Sequence, residues 1–140
     1  MIAEQRGMVL TELKSDVATN YSSLLSVTVT DGKDSHTVSG TCFDDTKMRI
    51  TQIDGFDIEI QPSEHLLLLF YEDRPGQVGQ FGKILGENKI NIANLTVGRS
   101  GKGEIACVAL TLDDPVPDAV LKLIDAAIKP KKMFAVQVKK

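Results

Sequence analysis

The sequence has no tryptophan, two cysteines and two histidines in 140 residues. Cys42 and Cys107 are too few and too dispersed for a disulfide framework or a cysteine-ligated cluster. Each lies in an apolar, strand-like run, so both read as small buried hydrophobes in a reducing compartment. His36 and His65 lie far apart, in or beside strand-like runs, with no nucleophile or metal-ligand spacing near either. Both read as structural, and no metal site is expected. Long apolar runs are also missing. The longest, Leu66–Tyr71, is far short of the ~20 residues that span a bilayer. No apolar stretch near the N-terminus could act as a secretory signal, so cytoplasm is the expected compartment. A concentrated basic face is absent too: the net charge is −3, and the basic runs are Lys129–Lys132, interrupted by Pro130, and Lys139–Lys140. That pattern offers no footprint for nucleic acid. No glycine-rich dinucleotide fingerprint follows a strand, so no cofactor site is expected in this chain.

What is present is apolar content, 42% of the residues, enough for a packed core. The chain opens on Ile2-Ala3-Glu4-Gln5-Arg6-Gly7, which reads as a last helical turn and its glycine stop. That opening is the expected look of a piece of a longer protein, or of a subunit that has lost its upstream partner. Residues 8–62 read as strands. Met8–Leu13 is short and extended. Tyr21–Thr30 alternates, with Leu25, Val27 and Val29 on one face and Ser26, Thr28 and Thr30 on the other. Asp31-Gly32 and Asp54-Gly55 are tight-turn signals. They separate Ser35–Phe43, Arg49–Ile53 and Phe56–Ile60 into a small antiparallel sheet. Gln61-Pro62-Ser63 reads as a linker.

Residues 64–140 read β-α-β-β-α-β: strand Leu66–Tyr71, helix Pro75–Asn88, strands Ile90–Val97 and Ile105–Leu112, helix Pro117–Ile128, strand Met133–Val138. Pro75 suits a first helical turn, and Val78, Phe81 and Leu85 form the inward stripe. In the second helix Val120, Leu121, Ile124 and Ile128 point inward. This order gives a four-stranded antiparallel sheet with both helices on one face. The fold class is α+β: a small β-rich domain at 1–62, then a ferredoxin-like domain at 64–140.

The stretch Tyr71-Glu72-Asp73-Arg74-Pro75-Gly76 ends a buried strand and starts a helix, whose free N–H groups and partial positive charge suit a carboxylate. Gly76 lets a ligand approach the backbone. Asp73 either caps the helix or meets a ligand, and the residues alone put capping first. Gly79, Gly82 and Gly86 form one helical stripe at a cost of roughly 0.5–1 kcal/mol each. The stripe implies close approach of a sheet, a partner chain or a ligand, helix–sheet packing foremost.

Asp73-Arg74-Pro75-Gly76, the glycine-bearing helix and Ile90-Asn91-Ile92-Ala93 resemble an ACT domain, a small amino-acid-binding regulatory module. Val38-Ser39-Gly40-Thr41 and Ile53-Asp54-Gly55, leading into that half, resemble the intervening domain of long-form D-3-phosphoglycerate dehydrogenases, and Leu112-Asp113-Asp114 with Val116-Pro117-Asp118 fits the same family. The resemblance implies a regulatory part that binds L-serine, or a similar small amino acid, between two ACT domains of a homodimer. The implied site comprises Tyr71, Asp73, Pro75, Gly76, Gln77, Val78 and Asn91. Asp73 would hold the ammonium group, the N–H groups of Gly76 to Val78 the carboxylate, and Asn91 the remaining polar groups. Tyr71 stands where some members have histidine, and Asp73 where they have asparagine; aspartate is the better partner for an ammonium. Some members hold a second anion site of basic residues. Here only Arg49 matches it, Gln61 and Thr111 being uncharged, and Arg49 reads first as a solvated surface charge. The resemblance also implies that NAD and the dehydrogenase chemistry belong to upstream catalytic domains, this chain being silent alone. Two alternatives remain open: the ACT-containing part of an iron–sulfur L-serine dehydratase, and a free-standing ACT sensor.

Overall fold

The computed structural model describes residues 2–14, 20–44 and 46–139. Helix α1, Ile2–Gln5, is a single turn, closed by Gly7 in the left-handed region with its N–H on Glu4 O at 3.0 Å. Four strands follow: β1 (Leu25–Asp31), β2 (Asp34–Phe43), β3 (Lys47–Ile53) and β4 (Phe56–Ile60). They form an antiparallel meander in chain order. The β3–β4 hairpin turns on Asp54 (φ 47) and Gly55 (φ 84), two consecutive positive angles that suit the strands' twist. Asp54 also ties this hairpin to β2. Its N–H donates to Thr37 O at 2.8 Å, and its Oδ1 accepts the Thr37 N–H at 2.7 Å. Its Oδ2 meets His36 Nδ1 at 2.7 Å, which gives that histidine a structural partner.

The second sheet comprises β5 (His65–Glu72), β6 (Ile92–Arg99), β7 (Ile105–Leu112) and β8 (Lys132–Gln137), ordered β6-β7-β5-β8, every pair antiparallel. Helices α2 (Gln77–Glu87) and α3 (Asp118–Ile128) cover one face. There Leu67, Leu69 and Tyr71 pack with Phe81, Leu85, Val120 and Ile124. Alternation on β5 sends Leu66 and Phe70 to the other face. That face meets Ile53, Ile58 and Ile60 of the first sheet, together with Cys107 and Ala109. Each large apolar side chain so buried contributes ~1.5–3 kcal/mol, so the joint between the sheets is a second core.

Several expectations are corrected. Met8–Leu13 joins neither sheet and is exposed, because among the described residues no strand lies alongside to complete its hydrogen bonds. Regular pairing begins at Leu25, leaving Tyr21 outside the strand. Leu25, Val27 and Val29 share one face as the alternation requires, but the face is exposed. The β4 side of the sheet packs on the second sheet, and the β1 side projects beyond it. Helix α2 starts at Gln77, after Pro75, because Gly76 at φ 89 breaks the helical path. Val78 is consequently half exposed on the first turn, whereas Phe81 and Leu85 are buried.

Cys107 is fully enclosed, and burial, then the charge of Asp54, push its thiol up to about 12 from 9.0. The thiolate that alkylating agents need is therefore scarce at pH 8. Iodoacetamide should modify the partly exposed Cys42 and spare Cys107 until the protein is unfolded; peptide mass spectrometry checks this.

Candidate functional site

The alternation that points Leu67, Leu69 and Tyr71 at the helices carries on to Asp73, just past the end of β5. Its N–H donates to Glu104 O at 2.7 Å, which holds the residue against the loop before β7. Arg99 ends β6, and the register Arg99↔Ala106↔Tyr71 brings three strand ends together. Arg99 donates from Nε to Asp73 Oδ2 at 2.6 Å, and its Nη2 lies 2.5 Å from the same oxygen. Asp73 Oδ1 is not engaged by it. Arg99 was not singled out in the sequence. The signal available there was a cation closing an otherwise uncharged strand.

Helix α2 has no side-chain cap, so the capping role expected for Asp73 is not taken up. Gln80 N–H bonds Gly76 O at 3.0 Å and Gln77 N–H reaches Arg74 O at 3.4 Å. Among the described residues the N–H groups of Gly76, Val78 and Gly79 have no backbone acceptor. On the same first turn, Gln77 Oε1 is buried without a partner among the described residues. Tyr71 is enclosed with its ring edge-on to Phe81 at 6.3 Å. Burial, then Asp73 and Cys107, raise its phenol's pKa against a lowering by Arg99, so the group stays a neutral donor. Tyr71, Asp73, Pro75, Gly76, Gln77 and Val78 thus form one neighbourhood holding a carboxylate, a guanidinium and free helix N–H groups. Such a set can meet both charges of a zwitterion.

Asn91 is not part of that neighbourhood. It precedes β6, its O accepting the Asp113 N–H at 3.2 Å and its Nδ2 donating to Asp113 Oδ2 at 2.8 Å. This level corresponds to His65↔Leu112, the opposite end of β5 from Asp73. Eight residues of strand at ~3.3 Å each place the two ends roughly 25 Å apart. Within one chain, Asp73 and Asn91 cannot share a small ligand. Arg49 folds back on its own strand, Nη1 donating to Met48 O at 2.9 Å. Thr111 is buried in β7. A Cβ added at Gly79, Gly82 or Gly86 would meet nothing within 4 Å, so the helix–sheet packing expected for that stripe is absent and its glycines face open space. Among the described residues no group of three or more His, Cys, Asp or Glu could hold a metal ion, and no helix is long and apolar enough to cross a membrane.

Comparison with known sequences gives two family matches. The D-3-phosphoglycerate dehydrogenase intervening domain matches residues 1–54, and the ACT domain matches residues 65–129. The first match ends in the β3–β4 hairpin and the second begins with β5. The D-3-phosphoglycerate dehydrogenase of Bacillus subtilis is 36% identical over 121 residues, which is 86% of this chain and 23% of that protein. That of Archaeoglobus fulgidus is 39% identical over 124 residues, again 86% of this chain and 23% of the relative. A probable L-serine dehydratase beta chain of Bacillus subtilis is 22% identical over 120 residues, 86% of this chain and 54% of its own length. The chain therefore spans under a quarter of the length of those two dehydrogenases.

Proposed function

The chain belongs to the D-3-phosphoglycerate dehydrogenase intervening-domain family at residues 1–54 and to the ACT-domain family at residues 65–129, and from this we propose that it is the amino-acid-sensing, regulatory part of such a dehydrogenase, with L-serine as effector. The proposed units are 1–62 and 64–140. The NAD-dependent chemistry then belongs to catalytic domains elsewhere in the polypeptide, in a cytoplasmic enzyme of serine biosynthesis.

One observation carries the reading: Asp73 stands at a strand end beside a helix start where, among the described residues, the N–H groups of Gly76, Val78 and Gly79 have no backbone acceptor. The carboxylate of a bound amino acid meets those N–H groups and the helix dipole. Its ammonium meets Asp73 through Oδ1, the oxygen Arg99 leaves free. Isothermal titration with L-serine, L-alanine and glycine tests it. No binding of any of them at millimolar concentration by folded protein would leave the domain an assembly module.

The separation of Asp73 from Asn91 supports a site completed by a second copy. A two-fold axis that sets two such sheets side by side brings each Asp73 to the level of the other copy's Asn91, and makes two equal sites. The open edge β6 and the glycine stripe of α2 form the contact, since β5 is paired on both sides by β7 and β8. Asn91→Ala should cost about 1 kcal/mol of serine affinity, the size of one neutral hydrogen bond. The decisive measurement is complementation. Mixing Asp73→Ala and Asn91→Ala chains should restore a class of wild-type sites, which cannot happen if each site is built within one chain.

The similarity to the L-serine dehydratase beta chain favours a second reading, the corresponding part of such a dehydratase. Both readings place a small amino acid at Asp73. They separate on whether the whole enzyme oxidises phosphoglycerate with NAD or removes water from serine.

A further inference from the structure

On the face of the second sheet opposite its helices, the two sheets diverge around a cleft of about 370 Å³. Its floor is apolar: Phe56 of β4 and Phe70 of β5, ring centroids 5.7 Å apart and edge to face, with Ile105 of β7 beside them. Its rim carries Lys131 and Lys132. The backbone orients Lys132. Lys131 N–H donates to Phe70 O at 2.7 Å, and Lys132 pairs with Phe70 across β5 and β8, so its side chain leaves the sheet on the same side as that ring. Among the described residues neither ammonium has an ion-pair partner. Asp54 also lines the cleft, but both its oxygens are taken, one by His36 and one by the Thr37 N–H. Lys132 therefore carries a cation, without an ion-pair partner among the described residues, on the aromatic side of the sheet, and Lys131 lines the cleft next to it.

We propose that this cleft binds a small amphipathic carboxylate, a ring-sized apolar body with a single negative charge. The volume lies at the small end of the ~300–1,000 Å³ typical of ligand pockets, which suits one ring and a short arm. The body replaces water over the partly buried Phe56 and Ile105, beside the nearly enclosed Phe70, and the carboxylate accepts charge-assisted hydrogen bonds from the lysines. Because its walls come from both sheets, an occupied cleft fastens the first sheet to the second. The Asp73 neighbourhood lies on the other face of β5, so this site is additional to the one proposed above and does not depend on it.

Phenylacetate is the probe, and 2-phenylacetamide is its uncharged counterpart. Amide chemical shifts of the 140-residue chain are followed during titration. Phenylacetate should give saturable shifts centred on Phe70 and Ile105. The amide, and phenylacetate against Lys131→Ala/Lys132→Ala protein, should each bind at least about tenfold more weakly, the loss of one charge-assisted bond. The double variant alters only exposed side chains, so its fold is checked by the unchanged remainder of the spectrum. Equal binding of acid and amide, equal binding by wild type and double variant, or no saturable shift at tens of millimolar overturns the proposal.

Discussion

Replacing Asp73 by alanine should weaken L-serine binding by roughly 10- to 150-fold, the equivalent of ~1.5–3 kcal/mol for a charged hydrogen-bonding partner. Stability should change far less. The Asp73–Arg99 pair is the only side-chain interaction of Asp73 among the described residues, and its guanidinium is half exposed. Pairs of that kind contribute ~0–1 kcal/mol. A capping aspartate would behave the other way, lowering the melting temperature and leaving affinity alone, but α2 has no side-chain cap. Asp73→Asn adds a useful third point. It keeps the shape and one acceptor while removing the charge, so an ammonium should discriminate against it and a neutral ligand should not. Arg99, on Oδ2, partly neutralises the carboxylate whose Oδ1 meets the ammonium, so removing it in Arg99→Met should tighten serine modestly. Unchanged serine affinity in Asp73→Ala protein, measured calorimetrically, would remove Asp73 from the site.

The second half was legible because its periodicities are strong. Leu66–Tyr71 is continuous and apolar, as a strand covered on both faces must be, and Val120, Ile124 and Ile128 recur at helical spacing; all are buried except Leu68, which is partly so. The turns Asp31-Gly32 and Asp54-Gly55 announced two hairpins because few residues besides glycine, asparagine and aspartate tolerate positive φ. The sequence did not reveal how far the apolar face of β1 is covered, since alternation says which residues share a face and nothing about what lies over it. Leu25, Val27 and Val29 show this. The site was legible in its local part, residues 71–78, where chain neighbours are neighbours in space. Its long-range parts were not. Arg99 arrives through the register of three strands, and Asn91 departs to the far end of β6 for the same reason. A one-dimensional motif holds no register.

The glycines separate contacts that hold the fold from contacts that are free for a partner. Gly98 of β6 has ordinary strand backbone, yet a Cβ there would lie 2.6 Å from Asp57 O and 2.9 Å from Ile58 Cδ1. The nearer atom is backbone of β4, held in its sheet by pairing with β3, so it cannot yield as a side-chain tip can. The same closeness lets Thr96 Oγ1 donate to Glu59 O at 3.2 Å. Gly98→Ala should therefore push β4 off β6 and cost ~1–3 kcal/mol, the range for overpacking a close contact. In a chain of this size that lowers the melting temperature by several degrees, about 2–8 °C for each kcal/mol. Gly101 is the control, because the atoms its Cβ would meet belong to the movable carboxylate of Glu104. Gly101→Ala should cost much less. Gly82 goes the other way: its Cβ would meet nothing within 4 Å, and alanine gains ~0.5–1 kcal/mol over glycine inside a helix. Gly82→Ala should stabilise the isolated chain while weakening association, if the stripe on α2 is where a second copy approaches. Calorimetric melting and sedimentation on the three variants separate these outcomes. A Gly98→Ala protein that melts with the wild type would mean the two sheets are not held at this distance.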